Sequence, residues 1–198
     1  MGQKGRFLMD DKQAKELLES ALDASHNQDF EKAINLYDEL IEASENPFYT
    51  KIARNNKAYD YYSRGKYDKA IETAKETIEI YRNSNCESAL ELLGKSYYAK
   101  KEYQTALEYL SETLKAYEKT DWTDDEETKE IMFEELYKTS AMCHFNLHQY
   151  ALAVKYMKEA VSLNPTYAEN KKLLEQMEHK LNEAPEVKRT NFGRKVDF

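Results

Sequence analysis

Apolar side chains recur along most of this chain at the three-to-four-residue spacing that lines one face of a helix. The pattern also repeats at long range. Four segments align: Asp29-Phe-Glu-Lys-Ala33-Ile, Lys66-Tyr-Asp-Lys-Ala70-Ile, Glu102-Tyr-Gln-Thr-Ala106-Leu and Gln149-Tyr-Ala-Leu-Ala153-Val. Each places an aromatic three residues before an alanine and an aliphatic residue just after it. The marker alanines lie 37, 36 and 47 residues apart. With only 5 Gly and 3 Pro in 198 residues, breakers are scarce, which favours long helices and short links.

Other positions keep the same register. The third unit reads Leu90-x-x-Leu93-Gly94-x-x-Tyr97 and then Ala106-x-x-x-Leu110. The fourth carries Tyr137, Ala141, His144, Ala153, Met157, Ala160 and Pro165 at matching places. Weaker versions run through Ala21, Ala24, Ala33 and Tyr37, and through Ala58, Tyr61, Gly65, Ala70 and Ala74. Antiparallel helices pack closely only where small residues let the backbones approach, so Gly94 and Ala106 are expected to form such a contact. The pattern predicts four hairpins over about 14–47, 51–84, 87–120 and 134–165, closed by a capping helix over 166–182. In that last helix Tyr167, Leu173, Leu174, Met177 and Leu181 recur at helical spacing. A tail over 1–9 precedes the repeat domain of 10–183, and a flexible basic tail over 184–198 follows it.

Over residues 12–182 these positions resemble the tetratricopeptide repeat (TPR) family, whose unit is near 34 residues. The resemblance implies an all-α, right-handed α-solenoid of helix-turn-helix hairpins. It also implies a protein-binding role, as an adaptor or chaperone, in a groove lined by the first helix of each pair. By register the groove residues are Leu18, Leu22, Asn55, Asn56, Tyr59, Tyr62, Lys95, Tyr98, Lys138, Met142 and Phe145. This floor reads as aromatic and aliphatic with few charges, suited to an apolar or aromatic anchor on a polypeptide partner. One branch of the family grips the C-terminal carboxylate of heat-shock proteins with Lys, Asn and Arg. Here its places hold Leu18, Leu22, Asn56, Ser88 and Leu92. Only Asn56 matches, and the next register (Asn55, Tyr59, Leu92, Glu135, Thr139) fits worse, which argues against a carboxylate clamp. The acidic, aromatic-grooved form is also similar to the small TPR chaperones of bacterial secretion systems. Assembly through the stack ends or an extended 104–148 hairpin is the alternative role.

Charge narrows the partner. A net charge of −8 disfavours nucleic acid and anionic membrane, and suits a basic protein segment. The N-terminal MGQKGRFLMDDKQ lacks the apolar run of a signal peptide, and no stretch approaches membrane-spanning length, so a cytoplasmic location is expected. Cys86 and Cys143 are too few for a disulfide framework. His144 and His148 share a helix face at i and i+4, the spacing of a metal pair. No second ligand motif accompanies them, and His144 occupies a packing position of the repeat. No cofactor, metal or catalytic residue is assigned, because no glycine loop, nucleophile elbow or paired-acid motif is present.

Two segments depart from the repeat. The long third period holds Thr120-Asp-Trp-Thr-Asp-Asp-Glu-Glu, where Thr123 and Glu126 have capping-box spacing. It predicts a helix over 124–148 whose first turns overhang the stack, with Met132, Phe133, Leu136 and Tyr137 packing on Leu114 and Tyr117. Trp122 is then a candidate contact on that overhang. The last segment carries Lys188, Arg189, Arg194 and Lys195 against Glu186 and Asp197, a net +2. Phe192 or Phe198 is the anchor by which it would fold back into the groove.

Overall fold

The computed structural model of the chain describes residues 8–82, 86–122 and 125–184. It divides into two compact units, Met1–Ser96 and Tyr97–Phe198. In the first, α1 (Asp11–His26) pairs with α2 (Phe30–Ala43), and α3 (Pro47–Ser63) pairs with α4 (Tyr67–Ile80). Helix α5 (Glu87–Ala99) begins in this unit and ends in the second. The starts follow local chemistry. Asp10 accepts from Gln13 N at 2.9 Å while Gln13 Oε1 accepts from Asp10 N at 3.1 Å, a complete capping box. Asp29 caps α2, and Asn46 caps α3 just before Pro47, whose missing N–H costs nothing at a first helical position. Ala14, Ala21, Ala33 and Ala53 are fully buried with Tyr37 and Leu40 at the packed faces. Met9 N donates to Ala43 O at 2.9 Å, and the Met9 side chain packs on that core.

In the second unit α6 (Tyr103–Tyr117) packs on α7 (Glu126–Asn146), α7 on α8 (Tyr150–Leu163), and α8 on α9 (Ala168–Glu183). Ala141, Ala153, Met157, Ala160 and Met177 form its core, with Leu173, Leu174 and Leu181 against them. The marker alanines Ala33, Ala70, Ala106 and Ala153 are all 0% exposed, and Gly94 is buried. Helix α7 starts later than expected. Its cap is Asp125, which accepts from Thr128 N at 3.3 Å. Thr123, the cap predicted from spacing, lies outside the described residues, as do the tail residues 185–198. Tyr167 stands before the capping helix rather than in its core. It is the N-cap residue, 40% exposed, with its hydroxyl donating to Glu169 Oε2 at 2.7 Å.

The backbone repeats as faithfully as the alanines. Each first helix ends at a residue in the left-handed region: Gln28 (φ 62°), Gly65 (φ 69°), Lys101 (φ 64°) and His148 (φ 58°). Around each, two bonds close the terminus. The following N–H reaches back five residues, Asp29 to Ala24, Lys66 to Tyr61, Glu102 to Tyr97 and Gln149 to His144, at 2.8 to 2.9 Å. This is the Schellman arrangement, which satisfies the last carbonyls and turns the chain onto the second helix. The second helix then begins on the aromatic of the motif, Phe30, Tyr67, Tyr103 or Tyr150.

Candidate functional site

Those aromatics explain where much of the predicted groove goes. Tyr62 lies against Tyr67 with ring centroids 5.7 Å apart, Tyr98 against Tyr103 at 5.9 Å, and Phe145 against Tyr150 at 5.5 Å. Each pair joins the last turn of a first helix to the first residue of its own partner helix. These three side chains therefore close the hairpins, and only their outer faces are left for a ligand. The first hairpin has Ser25 at this place, and Ser25 Oγ donates to Asp60 Oδ1 at 2.6 Å instead.

In the first unit the register list divides. Leu18 is 7% exposed within the core cluster, so its placement in a groove is corrected: spacing alone could not separate it from the ligand-facing side of α1. Leu22 packs half-buried against the same cluster. Asn56 turns back onto its own helix, donating from Nδ2 to Ile52 O at 2.9 Å. Asn55 differs, because its Oδ1 is buried and has no hydrogen-bond partner among the described residues. Tyr59 and Tyr62 follow it at one and two turns on the same face of α3. Lys95 Nζ lies 6.0 Å from the Tyr59 ring centroid and 2.5 Å from Glu91 Oε1. Both members of that ion pair are largely buried, so Lys95, expected on this face, is already paired there.

In the second unit Met142 and Phe145 pack against the core cluster, and Lys138 Nζ stands 6.0 Å from the centre of the Tyr167 ring. The histidine pair separates. His144 is buried, stacks on Tyr156 at 5.1 Å and has Nδ1 2.6 Å from Gln149 Oε1. Burial lowers its pKa against the opposing Gln149 bond, which favours the neutral ring. His148 is exposed, with Nδ1 2.8 Å from the Tyr150 hydroxyl. Burial pushes the Cys143 thiol up to about 12, so it is no nucleophile. Among the described residues no group of three or more His, Cys, Asp or Glu is placed to hold a metal ion.

One feature was not read from the sequence, and a second, the overhang of α7, was expected there with Phe133 and Tyr137 packing toward Tyr117 and Trp122 as a contact. In the first unit Asp60 is 5% exposed, and its Oδ2 and the buried Tyr37 hydroxyl both lack partners. Burial raises the Asp60 pKa, with the Ser25 bond, Arg64 and His26 opposing. Burial and then the Asp60 charge push Tyr37 up to about 12. In the second unit the overhang of α7 builds an aromatic cluster. Tyr117 contacts Trp122 and Phe133, each at 5.7 Å, and Phe133 continues to Tyr137 at 6.1 Å. Trp122 Nε1 donates to Tyr117 O at 2.9 Å. An open cleft of about 430 Å³ is lined by Tyr117, Trp122 and Phe133 together with Glu118, Asp121 and Glu126.

Three stretches of the chain match tetratricopeptide repeat family models, over residues 13–83, 55–119 and 135–167. No curated protein sequence matches it. Among solved structures, MamA from residue 41 onward of Desulfovibrio magneticus RS-1 is similar with a TM-score of 0.65 at 16% identity, covering 93% of this chain and 99% of that one. The first TPR domain of human RPAP3 gives 0.56 at 16% identity, over 74% of this chain and 100% of that one. The TPR2AB domain of yeast Sti1, solved in complex with pHSP90, gives 0.50 at 14% identity over 88% and 86%. At these identities the likeness is one of fold.

Proposed function

Because the chain belongs to the tetratricopeptide repeat family and has its all-α solenoid of hairpins, and so is a protein-interaction scaffold, we propose that it works as an adaptor or chaperone-like protein. It takes an extended polypeptide segment across the first-helix faces. The observation that carries this is Asn55. A buried amide oxygen without a donor costs about 1–3 kcal/mol, and a local opening of this face would let the backbone N–H of an extended segment satisfy it. Tyr59 and the outer face of Tyr62 flank it as a platform for an apolar or aromatic side chain. The acidic body favours basic residues beside that anchor. Burial of Leu18 and of Leu92, 1% exposed, together with the inward turn of Asn56, supports a partner other than the carboxylate terminus of a heat-shock protein. No helix among the described residues is long and apolar enough to cross a membrane. The reading assigns the chain no catalytic step and no cofactor. No finding favours assembly through the stack ends or the 104–148 hairpin.

The test is selection of a displayed library of extended peptides on the immobilised full chain, in parallel with Asn55→Leu shown by circular dichroism to keep its helicity. Enrichment of segments with an aromatic or aliphatic anchor beside Lys or Arg is expected, with at least about tenfold weaker binding to the variant, since one buried hydrogen bond is worth roughly that factor. Equal binding to both proteins would remove the α3 face as the site.

A further inference from the structure

The Trp122 cleft is a second place where the chain leaves apolar surface in reach of a ligand, and it is independent of the α3 face. Tyr117 is 5% exposed and supplies the packed side. Trp122 and Phe133 are half-buried, 6.5 Å apart and inclined at 70°. The two rings touch edge to face, and the open space of about 430 Å³ that they line leaves room for a third ring beside them. The charge is acidic: Glu118, Asp121 and Glu126 against Lys129. Lys129 Nζ is already held by both carboxylate oxygens of Glu126, at 2.9 and 3.1 Å. Counted over these four side chains, the lining carries a net −2.

We propose that residues 185–198 of this same chain dock in that cleft, with Phe192 or Phe198 entering beside Trp122 and the basic side chains around it facing Glu118 and Asp121. Three observations select this occupant. The segment has two phenylalanines, and its net +2 matches the cleft's −2. It also reaches. Asn170, in the first turn of α9, donates from Nδ2 to Glu134 Oε1 at 2.7 Å, one residue beyond Phe133. The return from the end of α9 to that level is about 20 Å, taken as 13 residues at 1.5 Å each. Eight extended residues from 185 span about 26 Å and all 14 span about 46 Å. Finally, the segment and the cleft belong to the same compact unit. A cation from Arg194 or Lys195 over the indole face would add to the pairing.

Trp122 is the sole tryptophan, so its emission reads the cleft directly. The experiment uses the full chain and compares acrylamide quenching of wild type with Phe192→Ser/Phe198→Ser and with Lys188→Glu/Arg189→Glu/Arg194→Glu/Lys195→Glu. Docking predicts that each tail variant is quenched roughly twofold more strongly and emits further to the red, because the indole regains solvent on one face, while helicity stays constant. It also predicts that about 1 M salt exposes Trp122 in wild type, where screening acts within about 3 Å. Adding Glu118→Lys/Asp121→Lys to the charge-reversed tail should restore shielding. Unchanged quenching in both tail variants would overturn the proposal. Shielding that grows with protein concentration would assign the cleft to a second copy and overturn it equally.

Discussion

Helices α3 and α7 hold the same place in the repeat and have come to serve different ends. Helix α3 has 17 residues and α7 has 21, the excess reflecting the 47-residue period against 36 and 37. The N-terminal turn of α3 is fastened: Asn46 Nδ2 donates to Asp11 Oδ1 at 2.8 Å, and the Thr50 and Tyr81 hydroxyls are 2.7 Å apart. Its polar residues then reach neighbouring helices, Lys57 to Asp38, Arg54 to Glu76 and Asp60 to Ser25. The first turns of α7 run past the common pattern and carry Phe133 to Tyr117 and Trp122, leaving Ile131 55% exposed. The difference teaches that the repeat fixes which side chains close each hairpin, while helix length beyond the repeat creates surface of a new kind.

The comparison breaks first if the two units do not share equivalent cores. Leu40→Ala in the first and Met157→Ala in the second each empty a fully buried site, and each is expected to cost about 2–5 kcal/mol in denaturant unfolding. A loss well below that at either place would mean that its unit relaxes around the cavity. Next in size is a link that only α7 has. Glu134 accepts from Asn164 Nδ2 at 3.1 Å and from Asn170 Nδ2 at 2.7 Å, and Asn170 is 0% exposed with its Oδ1 already unpaired. Glu134→Ala should cost about 1–3 kcal/mol, with hydrogen exchange rising first in α9.

The hairpins were legible because their signal is redundant: four alanines, four aromatics and a shared period agree on the register. The site was legible only in part. Register placed Leu18 and Asn55 alike on a first-helix face, but whether a side chain points to the partner helix or outward depends on crossing geometry that spacing does not carry. Tyr62, Tyr98 and Phe145 were read onto that face by register, yet their ring contacts with Tyr67, Tyr103 and Tyr150 join residues five apart across a turn whose shape comes from left-handed residues. Only Gly65 of those four advertises itself. Asp60 gave no signal, because an isolated aspartate on a helix reads as solvated until its neighbours are known.

Asp60 also gives α3 a pH dependence opposite in sign to that of the buried His144 in α7, whose pKa burial lowers. Its folded pKa is raised above 3.8 by burial, so between that unfolded value and the raised one the folded chain holds the extra proton. Its contribution to stability is therefore greatest in acid and declines as pH rises through that window, by at most ~1.4 kcal/mol per pH unit, and is flat above it. Asp60→Asn should remove this decline. Unfolding midpoints of both proteins from acid to neutral pH measure it, and parallel curves would show that the carboxyl titrates normally in the fold.

The smallest effect lies in the turns that end the two helices. Gly65 after α3 and His148 after α7 share a left-handed backbone, φ 69° and 58°. A Cβ at Gly65 would meet nothing nearer than the Tyr67 hydroxyl at 4.0 Å, so Gly65→Ala isolates backbone strain from crowding. Strain of about 1–2 kcal/mol, less the 0.4–1 kcal/mol gained by restricting the unfolded chain, leaves a net loss of about 0.5–1 kcal/mol. His148→Gly runs the same cycle in reverse but gives up the contact of Nδ1 with the Tyr150 hydroxyl, so its gain should be smaller than the Gly65 loss. Equal and opposite changes in thermal midpoint would mean that this contact contributes nothing and that the two turns differ only in the residue they carry.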